Sequence, residues 1–226
     1  MATLPFKFTF LGQSILKYQV PLDLYHALNT IYESNINELL PANEQLAGKI
    51  EKEHSLFYNG ENESKIKKHN LLSYEILNWF NDVYHQYLIF NHVADFKMSI
   101  NSIWVNEMKV NEYNPAHIHQ GTSPSGLSSV MILKLPDTYG EEYSAKDSPT
   151  NGKLQMLGTA SGQFAKVDYE PEVEVRDFYV FPYDLRHLVY PFNGTTNTRR
   201  TLAGNCDVWY PELINRGAHE YDSIRT

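Results

Sequence analysis

Phe178-Tyr179-Val180-Phe181-Pro182-Tyr183-Asp184-Leu185-Arg186-His187 is an apolar run that stops on a proline turn and then delivers a histidine. Four aromatic and β-branched residues in a row suit a buried strand. Proline cannot continue a central strand, so the run ends there, and His187 is expected at the mouth of a barrel. Similar short runs lie to either side. Upstream are Ile103-Trp104-Val105, Ser129 to Leu133 and Lys153 to Leu157; downstream is Thr201-Leu202-Ala203. Between them stand turn signals: Asn114-Pro115, Pro124-Ser125-Gly126, Asn151-Gly152, Ser161-Gly162 and Asn193-Gly194. Short strands at such intervals predict an antiparallel barrel of jelly-roll type.

The N-terminal half has a different period. After Pro21, Leu24, Leu28, Ile31 and Tyr32 recur at helical spacing. Ile76, Phe80, Val83, Tyr84, Tyr87 and Leu88 then form a stronger stripe at i, i+4, i+7, i+8, i+11 and i+12. Residues 21–95 therefore read as helices whose apolar faces pack on the sheet. Phe6, Phe8 and Phe10 alternate with polar residues, which predicts a strand before them. The expected fold is α+β and mainly β, a single domain over residues 1–226. Within it, 1–98 form an N-terminal strand and helical support, 99–210 the barrel core and 211–226 a C-terminal tail.

Bulk properties narrow the function. A formal charge of −8 argues against nucleic acid as a partner, because phosphate binding calls for a basic surface. Lys65, Lys67 and Lys68 stand beside Glu61 and Glu63 and read as a solvated helix start. One cysteine, Cys206, excludes an internal disulfide and reads as core packing. No apolar run is long enough for a membrane span, and the first ten residues do not read as a leader. The expected location is the cytoplasm.

Three of the nine histidines stand apart. His117 and His119 follow Tyr113-Asn114-Pro115-Ala116, and in a strand such i, i+2 side chains share a face, so two imidazoles could reach one metal ion. His187 is the third. Twelve residues on comes Arg199-Arg200-Thr201; in a strand over 199–205, Arg199 and Thr201 share a face, and a guanidinium fork beside a hydroxyl suits a carboxylate. Each element alone is common. The order His-x-His, long gap, His, a dozen residues, Arg-x-Thr is far more specific. Trp104, Phe181 and Tyr183 read first as core and second as walls of a dry pocket.

That ordered set resembles the 2-oxoglutarate- and Fe(II)-dependent oxygenase superfamily, and more closely a microbial and phage branch of it. The similarity runs over about residues 100–206, through Trp104-Val105-Asn106, Tyr113 to His119, Ser125-Gly126, Phe181-Pro182 with His187, and Arg199-x-Thr201 closing at Asn205. It implies a double-stranded β-helix, a cupin-like barrel preceded by helices. It implies Fe(II) held by His117, His187 and, in the slot usually filled by a carboxylate, His119. Arg199 and Thr201 would anchor the far carboxylate of 2-oxoglutarate, with Asn106, Tyr113 and Asn205 lining the pocket.

The implied reaction is hydroxylation of a C–H bond in a peptide or amino-acid-like primary substrate, consuming O2 and releasing succinate and CO2, with ascorbate as a possible stimulant. The sequence departs from the family at His119, since a third neutral imidazole replaces the usual carboxylate; Glu112 and Asp137 are alternative ligands less well placed. It departs again at Arg176, where the branch has glycine before the Phe-Pro strand. Two other readings follow from the three histidines: a cupin-like dioxygenase that uses no 2-oxoglutarate, and a non-catalytic metal-binding barrel.

Overall fold

The computed structural model describes residues 12–42, 47–59, 70–143, 149–159, 162–163, 165–194 and 196–210. The strand expected at Phe6 to Phe10, the lysines at 65–68 and the 211–226 tail lie outside these residues.

Twelve elements follow one another: β1 (Leu16–Gln19), α1 (Leu22–Asn35), β2 (Lys52–Tyr58), α2 (Tyr74–Phe90), β3 (Lys97–Met108), β4 (Asn114–His117), β5 (Gly126–Lys134), β6 (Leu154–Leu157), β7 (Asp168–Tyr169), β8 (Asp177–Pro182), β9 (Arg186–Val189) and β10 (Arg199–Trp209). The strands form two antiparallel sheets, a major one in the order β1-β8-β5-β10-β3-β2 and a minor one in the order β4-β9-β6-β7. This is the expected β-helix-like barrel.

Alternation along the strands sorts the core into two layers. On β8, Phe178 and Val180 face the helices, where they join Leu28, Tyr32, Phe80 and Tyr84 in the main cluster. Tyr179 and Phe181 face inward and pack with Leu154, Met156 and Leu185 between the sheets. Helix α2 buries all six residues of its stripe. Each such side chain contributes roughly 1.5–3 kcal/mol on removal from water. Its start is fixed by Ser73, whose side chain accepts from the Ile76 amide at 3.4 Å. Cys206 is buried in the main cluster, and burial pushes its thiol up to about 12, in keeping with a packing role.

Two departures from the sequence reading affect the site. Residues 52–58, read as part of a helical region, form strand β2 on the edge of the major sheet, paired with β3 from Lys52↔Glu107 to Tyr58↔Ser102. A register shift between Ser55 and Phe57 obscures the alternation that would have identified it. Arg176, in the position where the branch has glycine, has φ of +78°. The turn keeps its left-handed form, at a cost of about 1–2 kcal/mol for a residue with a side chain. Three bonds hold it: the Arg176 amide donates to Ile132 O at 2.9 Å, its carbonyl accepts from Val20 N at 2.9 Å, and Nε donates to Val20 O at 2.8 Å. Among the described residues no helix is long and apolar enough to cross a membrane.

Candidate metal and co-substrate site

The turn after β8 brings His187 into β9, directly opposite His117 at the end of β4. His119 lies just past β4 rather than within it, so the shared strand face predicted for the His-x-His pair does not arise. It reaches the same point because its backbone amide donates to Tyr183 O at 2.9 Å. One nitrogen of each of the three imidazoles lies within 4.8 Å of the other two. Neither Glu112 nor Asp137 joins them: Glu112 accepts the Glu51 and Lys109 amides, and Asp137 accepts from Asn197 at 2.6 Å.

The ring chemistry suits a cation. His117 Nδ1 is 2.7 Å from Pro115 O, and His187 Nδ1 is 3.0 Å from Leu185 O. A carbonyl only accepts, so each Nδ1 carries the proton and each Nε2 offers a lone pair. Burial lowers all three imidazoles; His187 falls to about 4, and His119 is depressed further by the other two rings. They are neutral at pH 7, the form that ligates. His119 Nε2 and His187 Nε2 are 3.1 Å apart. Two imidazole nitrogens bound at right angles to one ion, with bonds of about 2.1 Å, lie about 3 Å apart, so the spacing fits a shared metal.

The segment after His119 is held from β10. Asp207 accepts from Thr122 N at 3.2 Å and Asn101 Nδ2 at 3.1 Å on one oxygen, and from Tyr183 Oη at 3.2 Å on the other. A Cβ at Gly121 would sit 1.8 Å from the Asp207 carboxylate, so only glycine lets the two approach. Phe181 packs edge-on against His187 with centroids 4.8 Å apart, and Trp104 lies 6.0 Å from the His119 ring.

The histidines open onto a cavity of about 350 Å³ between the two sheets. Its far wall is the inner face of the major sheet, where Arg199 and Thr201 of β10, Asn106 of β3 and Asn205 all line it. Arg199 is only 2% exposed, yet its Nε and Nη2 have no hydrogen-bond partner. The Tyr139 hydroxyl, whose own ionisation burial has pushed up, lies close enough to the guanidinium for the two to interact. Among the described residues no carboxylate pairs with Arg199. A guanidinium stays charged, and burying it without an anion costs several kcal/mol, so the cavity is built for an anionic guest. Its neighbour Arg200 points the other way, to Glu33 at 2.8 Å and Glu107 at 3.4 Å, and fastens α1 to the sheet.

Of the residues expected at the pocket, Tyr113 is the one absent from the cavity lining. It is 42% exposed and does not line the cavity, whereas the next residue, Asn114, does. A backbone pairing of Tyr113 with Lys49 turns the ring outward. Sequence reasoning missed Glu53, Asn114 and Tyr139. Of these, Asn114 stood in the quoted motif, and one-residue alternation from Tyr113 would have favoured it.

Residues 102–205 match the model of the family described as "Putative 2OG-Fe(II) oxygenase". No curated protein matches the chain. Among solved structures, a prolyl-4-hydroxylase from Pseudomonas putida superposes with TM-score 0.52 at 17% identity, covering 87% of this chain and 92% of its own. AviO1 from Streptomyces viridochromogenes superposes with TM-score 0.54 at 12% identity, covering 87% and 90%. A prolyl hydroxylase from Trichoplax adhaerens, in complex with a hypoxia-inducible-factor degradation-domain peptide, gives 0.50 at 11%, covering 91% and 86%. At these identities the likenesses speak for the fold. The matched stretch is the barrel core, so residues 102–205 carry a domain of the 2OG-Fe(II) oxygenase family, whose members are oxidoreductases with Fe(II) and 2-oxoglutarate as cofactors.

Proposed function

We propose that His117, His119 and His187 hold Fe(II), that Arg199 and Thr201 anchor 2-oxoglutarate, and that the enzyme hydroxylates a C–H bond of a peptide or amino-acid-like substrate. One observation carries this reading: a neutral three-imidazole cluster and a buried, unpaired guanidinium share one cavity. The bound iron supplies the oxidising chemistry, in which O2 and 2-oxoglutarate become succinate, CO2 and an oxygen atom delivered to carbon.

The chain's own residues bind, orient and exclude water. Pro115 O and Leu185 O fix the His117 and His187 rings with Nε2 turned to the metal. Arg199 offers two free N–H groups on a rigid fork, the geometry that recognises a carboxylate. The Tyr139 hydroxyl stands beside that fork and favours its charged form. Phe181 and Trp104 close apolar surface around the histidines, which strengthens every charge interaction inside. The acidic chain favours a peptide or amino-acid substrate over nucleic acid. Two of the solved structures of like fold are prolyl hydroxylases, which accords with such a substrate.

Three imidazoles without a carboxylate also suit a dioxygenase that needs no 2-oxoglutarate, but that chemistry leaves the Arg199 guanidinium without a counter-ion. The test is succinate formation by anaerobically purified, Fe(II)-loaded protein given 2-oxoglutarate and ascorbate, then oxygen. Slow succinate release, lost in His187→Ala and in Arg199→Ala, is expected. Bound iron with no succinate under any of these conditions would discard the reading.

A further inference from the structure

The cavity is lined by a second buried charge-bearing group, two strands away from the strand that carries Arg199. Glu53 lies on edge strand β2, in register with Asn106 of β3, which is in register with Thr201 of β10. These three line the cavity as one row across the sheet. Glu53 therefore stands two strands, about 10 Å, from Thr201. It is 4% exposed, and its Oε1 has no hydrogen-bond partner. Nearby lining residues Pro41, Ala42 and Ala47 have no polar side chain to offer it a donor. The charge that bears on it is Glu112, of like sign, and among the described residues no cation offsets it. The Asn106 amide oxygen beside it is also unpartnered.

A carboxyl oxygen buried with no donor among the described residues carries a desolvation cost that nothing shown in the folded chain offsets. 2-Oxoglutarate cannot satisfy it, having only acceptors to offer there. A guest that enters the same cavity and brings N–H donors would satisfy this oxygen in its ionised form. We propose that Glu53 is the docking point for a cationic, multiply N–H-donating side-chain group of the primary substrate, a guanidinium above all. Arg199 and Glu53 then divide the cavity by charge: the anionic co-substrate at the one, the cationic substrate group at the other. Ser55 and Tyr58, also on edge strand β2, line the same cavity. The proposal rests on the oxygenase reading only in calling this guest the substrate.

The test is a binding experiment that requires no turnover. The full chain, loaded anaerobically with Mn(II) and 2-oxoglutarate, is titrated calorimetrically with L-argininamide and, separately, with L-citrullinamide, its near-isosteric analogue with a neutral side chain. Both probes share the α-ammonium, so the comparison isolates the side-chain charge. The guanidinium probe is expected to bind about ten-fold more tightly or better, the worth of a charge-assisted bond to a desolvated carboxylate. Glu53→Gln, which keeps the shape, should abolish that preference. Equal affinity for the two probes, no binding of either, or an undiminished preference in Glu53→Gln overturns the proposal. Succinate formation by wild-type protein, measured in parallel, reports on the oxygenase reading separately, so either can fail alone.

Discussion

At the scale of single residues, burial does the chemical work. Desolvation keeps the three imidazoles neutral, the form that can ligate a metal, and in His117 and His187 the carbonyl-facing Nδ1 leaves the lone pair on Nε2. The same force acts on Glu53 with the opposite sign for charge, raising its carboxyl to about 7, with Glu112 adding to the rise. Folded protein without ligand thus keeps a proton on Glu53 at pH values where the unfolded chain has released it. That contribution to stability is complete below the ordinary carboxylate range and is lost as pH rises through about 7. Relative to wild type, Glu53→Gln should gain stability between pH 5 and pH 8. Thermal melts of the two proteins at both pH values check this; a constant gap would show that Glu53 is not the group responsible.

The legibility of the sequence was uneven at this scale, for physical reasons. That His117, His187, Arg199 and Thr201 would meet at one cavity was readable because their types are rare together and their order along the chain is distinctive. Glu53 was not, because a buried unpaired glutamate looks in sequence like any exposed one. Tyr139 was missed for a related reason: its pairing with Arg199 spans sixty residues and leaves no local pattern.

At the scale of elements, the loop carrying His119 depends on β10. The strand that supplies Arg199 and Thr201 at one end supplies Asp207 at the other, and Asp207 clamps Thr122, Asn101 and Tyr183. In Asp207→Asn the new N–H2 must face either the Tyr183 hydroxyl or the paired Thr122 and Asn101 donors, and the clamp loses at least one bond, about 2 kcal/mol. The melting temperature should fall by roughly 4–8 °C. Iron affinity should weaken about ten-fold, as for other changes behind a ligand. Calorimetry and a competitive metal titration measure both; unaltered iron affinity would uncouple the clamp from His119. Elements were legible where periodicity was clean, as in the α2 stripe and in β8. Strand β2 was hidden by its bulge, and His119 lay beyond the strand that was expected to carry it.

At the scale of the molecule, the helices support the barrel from outside while the chemistry faces inward. Phe80 of α2 is fully buried, with its ring 5.5 Å from that of Phe178 on the outer face of the major sheet. Phe80→Ala should cost about 3–5 kcal/mol of stability. Denaturant unfolding monitors the loss, and succinate formation per folded molecule should persist at low temperature. A loss of activity in fully folded variant would place α2 in the site rather than behind it.

The most direct measurement of the central claim is calorimetric binding of 2-oxoglutarate to anaerobic, Fe(II)-loaded protein, with Arg199→Met alongside. One 2-oxoglutarate per chain should bind only when iron is present. Arg199→Met should retain its iron while losing affinity for 2-oxoglutarate by about a hundred-fold, as expected when a buried charge pair loses one partner. Metal-independent binding, or binding undiminished in Arg199→Met, would contradict a site in which three imidazoles and one guanidinium hold the two cofactors together.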